Sequence, residues 1–560
     1  MKRNAMNITR SRTWYAAFAA VVALGATLSA CPDGNQESPF ADMDSSIIVD
    51  EHNQTTALVC PGAKGCENAS GALRVGVAAK SITPVIETWE DTNENGRQNG
   101  DEPFDDVNGN GVWDPVWIAG FSAGRAANGV HDDNWSRVIT LEQGDISMAI
   151  VSLDLVGYFH PDVIAIRLAA KDAGLDFDHI MVTSTHQHEG PDSMGLWGEN
   201  NSVTGYDPAY IALVVEKTVE ALAEAKGNMQ EATLRIATTE APEYVNDTRL
   251  PIVIDQSIHA INFEATDGSV ISTLLFWGNH PEALGSRNKL ITSDFPHYIR
   301  ESLEAHYPGS VAVYATGLLG GLMTTIGLNV CPDEEGEDTC RQGTFERAQV
   351  IGEGVAQKAI AALESADART FSDDLQLGVR RWPYYVKTTN PKFSLALVLG
   401  LLTRRVYDDE TLRMYQGEDL KNLLYDDILA GTVKLDTEVN HIRIGPLDLL
   451  TVPGELYPEL WLSKEGGGDY IETPEGGDYP DATIETPLET FLRDDAYRIV
   501  VNQGNDALGY IIPKTQFDVL RPRAYGEEGQ YGEDNSLGEE AAPDLLENVI
   551  RLFELGQEIP

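Results

Sequence analysis

The stretch Asp178-His179-Ile180-Met181-Val182-Thr183, followed by Ser184-Thr185-His186-Gln187-His188-Glu189-Gly190-Pro191, decides both the fold class and the position of a candidate site. Its first half predicts a short buried strand. Ligands of α/β proteins collect at the carboxyl ends of such strands, where His186 and His188 follow. Since side chains alternate along an extended chain, both imidazoles are expected on one face. The pair therefore indicates half of a metal site, with two metal-free loop histidines as the alternative.

Strand-like and helical patterns alternate on both sides of this stretch. The predicted strands are Met148 to Leu155, Ile180 to Thr185, Val270 to Trp277, Val311 to Ala315, Ile442 to Val452 and Tyr497 to Val501. Helices are predicted from about Pro161, from Pro208 to Lys226, from about Phe295, and from Phe345 to Glu364. Such alternation is typical of an α/β protein. Without a fixed-period repeat or a clear linker, residues 73–560 are predicted to form one large domain with mixed sheets, flanking helices and a site at the strand carboxyl ends.

The length, hydrophobic content and net charge of the chain restrict its fold class and its binding partners. The chain has 560 residues and is 42% hydrophobic, enough for a substantial core. With 40 basic and 88 acidic residues it carries a net charge of −48. This charge argues against nucleic acid or an anionic membrane surface as a partner.

The first 31 residues are predicted to be a removable leader. Basic residues precede an apolar stretch from Trp14 to Leu28, and the ending Leu28-Ser29-Ala30-Cys31 resembles a bacterial lipobox. We expect a lipid on Cys31 to anchor an exported protein to a membrane, with an uncleaved anchor or ordinary secretion as alternatives. Pro32 stands where inner-membrane lipoproteins commonly carry Asp, which favours the outer membrane or cell surface. Polar residues 32–72 are predicted to form a flexible tether.

The other four cysteines form two close pairs in sequence. Cys60 with Cys66 and Cys331 with Cys340 are predicted to form local disulfides, as in many exported chains. Neither spacing matches a cysteine-rich zinc module.

The segment 88–117 resembles a calcium-binding insertion. Five oxygen-bearing side chains occupy EF-hand loop positions, with Gly96 at the turn: Asp91, Asn93, Asn95, Asn99 and Glu102. A second stretch, Asp106 to Asp114, repeats the opening but has Trp117 where the closing glutamate belongs. Structural Ca²⁺ is the preferred interpretation, and a metal-free surface loop is the alternative.

The apolar run from Phe393 to Leu402 precedes Arg404-Arg405. The run is too short to span a bilayer, so a core helix is predicted. The alternative is an apolar lip that helps a lipid leave a membrane, with both arginines near head groups.

Further side chains that could bind a metal follow other predicted strands. His280 follows Ser272 to Asn279, Glu455 follows Leu449 to Val452 through Pro453-Gly454, and Tyr510 follows the strand that ends at Val501. Two imidazoles, a carboxylate and a phenolate or water satisfy zinc and leave a catalytic position open. Asp154, at the end of its own strand, is expected either to orient a histidine or to bond locally. Whether His131 faces the site is left open.

Together these motifs resemble the neutral, non-lysosomal ceramidases. The resemblance runs in order from residue 75 to about 530, through Gly76 to Pro84, Gly129-Val130-His131, Val151 to Asp154, Thr185 to Pro191, Asn279-His280-Pro281, Pro453-Gly454-Glu455 and Gly509-Tyr510-Ile511. It implies a ceramidase-like catalytic domain with zinc held by His186, His280, Glu455 and Tyr510. It also implies that His188 acts beside the metal in proton transfer or oxyanion stabilisation, with Tyr525 as a second oxyanion donor. The family also carries a C-terminal immunoglobulin-like domain, for which this sequence is expected to end too early.

One motif departs from the family. Where ceramidases have Gly-Asp-x-Ser-Pro, this chain has Gly320-Gly321-Leu322-Met323-Thr324, which puts Met323 at the catalytic serine. A thioether cannot attack an amide, so Thr324, Thr325 or zinc-bound hydroxide is left as nucleophile, and hydroxide is preferred.

The leading hypothesis is a zinc-dependent hydrolase that cleaves an amide in a lipid-like N-acyl substrate. A zinc esterase and a non-catalytic metal-binding envelope lipoprotein are the alternatives.

Overall fold

A computed structural model of the chain describes residues 56–373, 375–415 and 433–555. Contacts divide the chain into two units, 1–45 and 46–560, and every described residue belongs to the second. The predicted leader, Cys31 and residues 32–55 of the tether lie outside the described residues. Among the described helices, none is long and apolar enough to cross a membrane.

The larger sheet has nine strands in the described residues. They are β2 (Arg74–Ser81), β3 (Trp135–Gln143), β4 (Ile146–Leu153), β5 (His179–Ser184), β6 (Gln230–Glu240), β8 (Ser257–Ala265), β9 (Val270–Trp277), β10 (Val311–Thr316) and β12 (Arg369–Phe371). Their order in the sheet is β10-β9-β8-β6-β2-β3-β4-β5, with β12 beside β6. The pairs β4–β5 and β9–β10 are parallel, and the other pairs are antiparallel.

The second sheet has six strands in the same described part. Their order is β1-β13-β15-β16-β18, with β14 beside β15, and only β16–β18 is a parallel pair. The strands are β1 (Leu58–Cys60), β13 (Leu377–Thr388), β14 (Val406–Asp408), β15 (Val433–Ile444), β16 (Leu447–Thr451) and β18 (Tyr497–Val501). Two short pairs complete the strands: β7 (Asn246–Asp247) with β11 (Met323–Thr324), and β17 (Glu455–Leu456) with β19 (Tyr510–Ile511).

A buried apolar core joins the two large sheets face to face. It contains Ile139 and Phe263 from the nine-stranded sheet, and Val379 and Leu449 from the six-stranded sheet. Helices cover the outer faces: α1 (His160–Asp172), α2 (Pro208–Gly227), α3 (Phe295–His306) and α4 (Phe345–Glu364) flank the larger sheet, and α8 (Ala541–Glu554) packs on β13 and β15. Shorter helices are α5 (Pro391–Val398), α6 (Pro458–Trp461) and α7 (Tyr531–Asp534). The predicted α/β class with mixed sheets and flanking helices is confirmed.

The loop after β18 connects the two sheets at the ends of their parallel strands. The Asn505 backbone N–H donates to Val182 O of β5 at 2.7 Å, and the Asn502 N–H donates to Thr316 O of β10 at 3.0 Å. The carboxyl ends of strands from both sheets therefore meet at one place, which positions the candidate site.

Two predicted boundaries were wrong. The run Ile442 to Val452 is not one strand but a hairpin, β15 and β16, which turns at Gly445 with φ of +59°. A continuous apolar run does not reveal this turn, because both strands are buried. The predicted tether also ends earlier than residue 72, because β1 pairs with β13 and the Cys60–Cys66 disulfide follows directly. The structure also contains the predicted Cys331–Cys340 disulfide.

Candidate metal centre

Four side chains predicted as zinc ligands converge where the strands end. His186 follows β5, His280 follows β9, and Glu455 and Tyr510 stand opposite each other in the parallel pair β17–β19. All four are buried. The ligand atoms of His186, His280 and Glu455 lie within 4.8 Å of one another. The four residues that the motifs single out therefore lie together, His186 and His280 after strands of the nine-stranded sheet and Glu455 and Tyr510 after strands of the six-stranded sheet.

The separations between donor atoms fit a tetrahedral metal. Glu455 Oε2 is 3.2 Å from His280 Nε2 and 3.6 Å from His186 Nε2. The Tyr510 hydroxyl is 3.2 Å from His280 Nε2. Ligand bonds of about 2.1 Å at tetrahedral angles place neighbouring donors about 3.4 Å apart. The donor set therefore fits zinc in size and chemistry.

The other ring nitrogen of each histidine is held by a backbone carbonyl. His186 Nδ1 lies 2.5 Å from Val156 O, and His280 Nδ1 lies 2.6 Å from Met323 O. Donation from Nδ1–H fixes the tautomer and leaves Nε2 as the free donor atom, which is the usual arrangement of metal-binding histidines. Met323 thus contributes its backbone carbonyl oxygen to the site.

The geometry of the histidine pair differs from the expected alternation. β5 ends at Ser184, and His186 has a φ of +61°, a conformation that non-glycine residues rarely adopt. Its ring is 5.1 Å from that of His188. The two rings are close because of the loop rather than because they share the face of a strand. Backbone strain of this kind clusters at functional sites.

The charges of the cluster favour cation binding. Burial lowers the pKa of His186 to about 4, and burial and the neighbouring imidazoles place the pKa of His188 well below its usual value. Burial alone would raise the pKa of Glu455, but attraction to His186 and His280 leaves it lowered. The pKa of His280 is raised, because the bond and charge of Glu455 outweigh burial. His186 is thus a neutral imidazole beside an ionised Glu455, as metal binding requires, and a bound cation would displace any proton from His280.

His188 lines the cavity next to these four residues. Its Nδ1 has no hydrogen-bond partner within the described chain, and Glu282 Oε2 lies 3.7 Å away. Behind the ring, the buried Arg125 donates to the His188 carbonyl oxygen and pairs with Glu189 at 2.8 Å. The backbone of His188 is therefore fixed, while its ring faces the site.

Gly120 leaves the space that His188 occupies. A Cβ at Gly120, whose φ is +101°, would overlap the His188 side chain and lie 2.7 Å from its Cα. We expect Gly120→Ala to displace His188 and reduce turnover by about 10–100-fold while zinc binding persists. Gly309→Ala is the matched control, because Gly309 has a φ of +91° and open space around it. Steady-state kinetics with metal analysis measures both effects, and equal activity of the two variants would contradict this role of Gly120.

Asp154 does not have the predicted role. Its carboxylate forms a two-bonded ion pair with Arg300, at 2.6 and 2.9 Å, and accepts from the Ser293 hydroxyl at 2.8 Å. It also caps the Trp135 N–H at 2.9 Å. No histidine ring is among the partners found for it in the described residues. The alternative interpretation, local bonding at a strand end, is the one that the structure supports.

Tyr525 also lies elsewhere. Its hydroxyl donates to Glu472 at 3.1 Å, its ring stacks on Arg249, and it does not line the cavity. Tyr531 lines the cavity instead, with its ring 6.0 Å from that of Tyr510. The sequence argument relied on motif spacing, and the loop that carries Tyr525 places its side chain against Glu472 and Arg249 instead. His131 does not line the cavity either; it stacks on Phe345 at 3.7 Å.

Thr324 and Glu282 form a pair beside the metal cluster. The Thr324 hydroxyl, which is 1% exposed, donates to Glu282 Oε1. Thr324 does not line the cavity, and the buried Thr325 hydroxyl has no partner in the described structure. Glu282 links Thr324 with His188. Sequence reasoning missed it, although it follows His280-Pro281 directly.

The cavity has a volume of about 80 Å³. One end carries the polar groups of His186, His188, Glu455 and Gln503. The side-chain amide oxygen of Gln503 has no hydrogen-bond partner in the described structure. The other walls are mostly apolar and are formed by Val156, Met194, Leu196, Trp197, Phe393, Ala507, Tyr510 and Tyr531. The cavity thus has polar groups beside the metal cluster and mostly apolar side chains on its remaining walls.

The insertion contains two loops of the same backbone geometry. Asp91 accepts from the N–H groups of Asn95 and Gly96, and Asp106 accepts from those of Asn110 and Gly111. Glu102 closes the first loop by accepting from Thr92 and Asn99. In the second loop the closing carboxylate is Glu87, which accepts from Val107 and Asp114. In the first loop the side-chain oxygens of Asn93 and Asn95 accept from the N–H groups of Asn95 and Arg97, and the Asn99 amide donates to Glu102.

The fold is similar to that of two solved structures. The chain is similar to the neutral ceramidase of Pseudomonas aeruginosa, with 16% sequence identity and a TM-score of 0.59, over 87% of this chain and 75% of that chain. It is also similar to a ceramidase described as complexed with C2, with 14% identity and a TM-score of 0.59, over 87% of this chain and 76% of the other. The chain matches no protein-family model and no curated protein sequence. At this level of identity the likeness shows that the chain has a ceramidase-like fold.

Proposed function

We propose that the chain is a zinc-dependent hydrolase that cleaves the amide bond of a lipid-like N-acyl substrate. The observation that carries the proposal is the set of four donors, spaced for a tetrahedral metal, at the polar end of a cavity with apolar walls. The ceramidase-like fold supports the choice of an amide. A metal held only for structure needs no cavity beside it.

In this reaction water adds to the carbonyl carbon, the C–N bond breaks, and a proton passes to the amine nitrogen that leaves. Zinc, when bound, supplies a Lewis acid for the carbonyl oxygen and acidifies water. His186, His280, Glu455 and Tyr510 would hold it. His188 lines the cavity and is neutral, so it can accept the proton of the attacking water and return it to the amine. Glu282 Oε2 lies 3.7 Å from its Nδ1, so the carboxylate charge would stabilise the ring once it carries a proton.

The position of Thr324 argues for water as the nucleophile. Its hydroxyl is buried and donates to Glu282, so attack on a substrate in the cavity would require rearrangement. We expect Thr324→Val to lower kcat by about tenfold, through loss of the bond that orients Glu282. Loss of a nucleophile would cost more than about 10³-fold. Measured kcat separates the two, and Thr325→Val, which removes a hydroxyl without a partner found here, is the control.

The direct test uses three fluorescently labelled compounds with the same apolar chain: an N-acyl amine, the matching ester, and a non-hydrolysable amine analogue. Zinc-dependent release of the amine supports the proposal. Cleavage of the ester alone identifies an esterase. Stoichiometric zinc with binding of the analogue and no cleavage identifies a metal-binding lipoprotein without activity.

We also propose that Cys31 is lipidated and holds the exported protein on the outer membrane, on the strength of the lipobox-like ending. The mass of the amino-terminal peptide from the membrane fraction tests this. An unmodified Cys31, or a leader that is still attached, contradicts the proposal.

We further propose that the loop from Asp91 to Glu102 binds structural Ca²⁺. At 100 times its Kd, calcium is expected to raise the free energy of unfolding by about 2.7 kcal/mol. Asp91→Ala should abolish the gain. Asp101→Ala, in the same loop but outside the predicted ligand set, should keep it. Chemical denaturation with and without calcium measures the difference, and equal gains in both variants would contradict the site.

A further inference from the structure

The loop that leads from β18 to Tyr510 carries part of the metal cavity. We call residues 502–510 the ligand loop. Two of its non-glycine residues have positive φ, Gln503 at +53° and Asn505 at +62°. Such a backbone keeps its conformation only where surrounding contacts hold it. Four residues of the loop line the cavity: Gln503, Ala507, Gly509 and Tyr510.

One buried ion pair holds the middle of the ligand loop. The two carboxylate oxygens of Asp506 accept from the two terminal nitrogens of Arg404, at 2.7 and 2.9 Å. Asp506 is fully buried, and the Arg404 side chain is 2% exposed. The same carboxylate accepts from the N–H groups of His160, at the start of α1, and of Ala507. Because a two-bonded pair fixes direction as well as distance, Arg404 sets where Asp506 lies.

Arg404 and its neighbour Arg405 lie inside the protein. Arg404 also donates to Asp436 O at 3.3 Å, and its guanidinium lies 4.7 Å from the centre of the Phe159 ring. Arg405 pairs with the Asp436 carboxylate, and its side chain is 10% exposed. Neither arginine can reach lipid head groups, as the sequence alternative for this segment expected.

The segment that carries Arg404 also forms a wall of the cavity. Phe393 of α5 lines the cavity, and a Cβ on Gly509 would lie 3.7 Å from Phe393 Cζ. Arg404, which follows α5, bonds to Asp506. The segment therefore contacts the ligand loop at two places, and the ion pair fixes the wall and the loop relative to each other.

The ligand loop positions the two oxygen donors of the metal centre. Tyr510 ends the loop, and its hydroxyl lies 3.2 Å from His280 Nε2. The Gly509 carbonyl oxygen accepts from the Glu455 N–H at 2.9 Å, so the loop also contacts the chain that carries the carboxylate. The positions of both oxygen donors therefore depend on where the loop lies.

The two imidazoles are held by other segments. The Nδ1 atoms of His186 and His280 bond to the carbonyl oxygens of Val156 and Met323. If the ligand loop is displaced, coordination by Tyr510 is expected to weaken while the imidazoles stay in place.

We propose that Arg404 is a positioning residue of the metal centre, which through Asp506 holds Tyr510 in the coordination sphere. Arg404 does not line the cavity, so it acts through Asp506 rather than on a substrate. The inference rests on the proposed function for the presence of a metal, but coordination by Tyr510 is measurable without turnover.

Two variants of the full chain test this role. Arg404→Lys keeps the charge but loses the two-bonded geometry. The double variant Arg404→Met with Asp506→Asn removes both charges, so that neither is left buried without its partner. The matched controls are Arg167→Lys and the double variant Arg167→Met with Glu438→Gln. Arg167 and Glu438 form a two-bonded pair of similar burial, at 2.9 and 2.6 Å, and neither lines the cavity.

Two measurements report on the metal centre. Competition with a chelator gives the zinc Kd. The Cu²⁺-loaded protein gives a phenolate-to-copper charge-transfer band, and the Tyr510→Phe variant identifies the band by losing it. We expect both Arg404 variants to bind zinc about tenfold more weakly and to lose most of the band. Both controls should keep the zinc affinity and the band, and urea denaturation of all four variants compares their loss of stability.

Each outcome decides a separate claim. Unchanged zinc affinity and band in the Arg404 variants, or equal losses in the controls, overturns the positioning role. A band that is absent from the unchanged protein also overturns it, because Tyr510 then does not bind the metal, while zinc-dependent cleavage of an N-acyl amine would still support the hydrolase. If the variants behave as expected but the unchanged protein cleaves no N-acyl amine, the positioning role stands and the proposed hydrolase fails.

Discussion

His280→Ala should remove bound zinc and lower hydrolysis by more than about 100-fold, the upper end of what loss of an outer partner of a metal site costs. His280 Nε2 lies 3.2 Å from both Glu455 Oε2 and the Tyr510 hydroxyl. It is thus the donor at the centre of the cluster. Metal analysis after dialysis and kcat/KM measure the two losses.

The control for this variant is His306→Ala. His306 lies on α3, has a side chain that is 37% exposed, and pairs with Glu364 at the surface. Its removal should change neither zinc content nor turnover. If His280→Ala keeps one zinc per chain, the metal lies elsewhere. If it loses zinc and keeps full turnover, the hydrolysis does not use the metal.

Asp154→Ala should destabilise the fold by about 3–5 kcal/mol, because it leaves Arg300 as a buried charge without its partner. Both side chains are at most 2% exposed. The pair joins the end of β4 to α3 near the site. Denaturation with urea measures the loss, and zinc affinity of the folded variant should stay near that of the unchanged chain.

The matched control is Glu547→Ala. It removes an exposed ion pair with Arg551 on α8, and such pairs contribute about 0.5 kcal/mol. A tenfold loss of zinc affinity in Asp154→Ala, without loss of stability, would restore the sequence interpretation of Asp154 as a residue that orients a metal ligand.

Much of the fold was visible in the sequence because buried parallel strands are continuous apolar runs. Val270–Trp277 and Tyr497–Val501 have the predicted bounds, and so does helix α4. The antiparallel strands β13 and β15 were missed, in whole or in part. They carry charged residues such as Arg381 and Glu438 in buried positions. Glu438 pairs with Arg167 of α1 at 2.6 Å, and Arg381 donates to the Thr56 carbonyl oxygen at 3.0 Å. Local patterns cannot show a partner that is distant in sequence.

The difference between local sequence patterns and contacts that are distant in sequence also explains which site residues could be predicted. His186, His280, Glu455 and Tyr510 each follow a strand, so their convergence could be inferred from the rule that strand ends gather ligands. Tyr525 does not line the cavity and Asp154 bonds to Arg300 rather than to a histidine, because their contacts depend on a loop and on a helix whose positions no motif records. Tyr531 and Glu282 were missed, since neither stands at a predicted strand end.

The most direct test of the central claim is anomalous diffraction at the zinc edge from crystals of the purified protein. The account predicts one strong peak about 2.1 Å from His186 Nε2, His280 Nε2 and Glu455 Oε2, with the Tyr510 oxygen in the same coordination sphere. A peak confined to the insertion 88–117, or no peak in protein that cleaves its substrate, would contradict it.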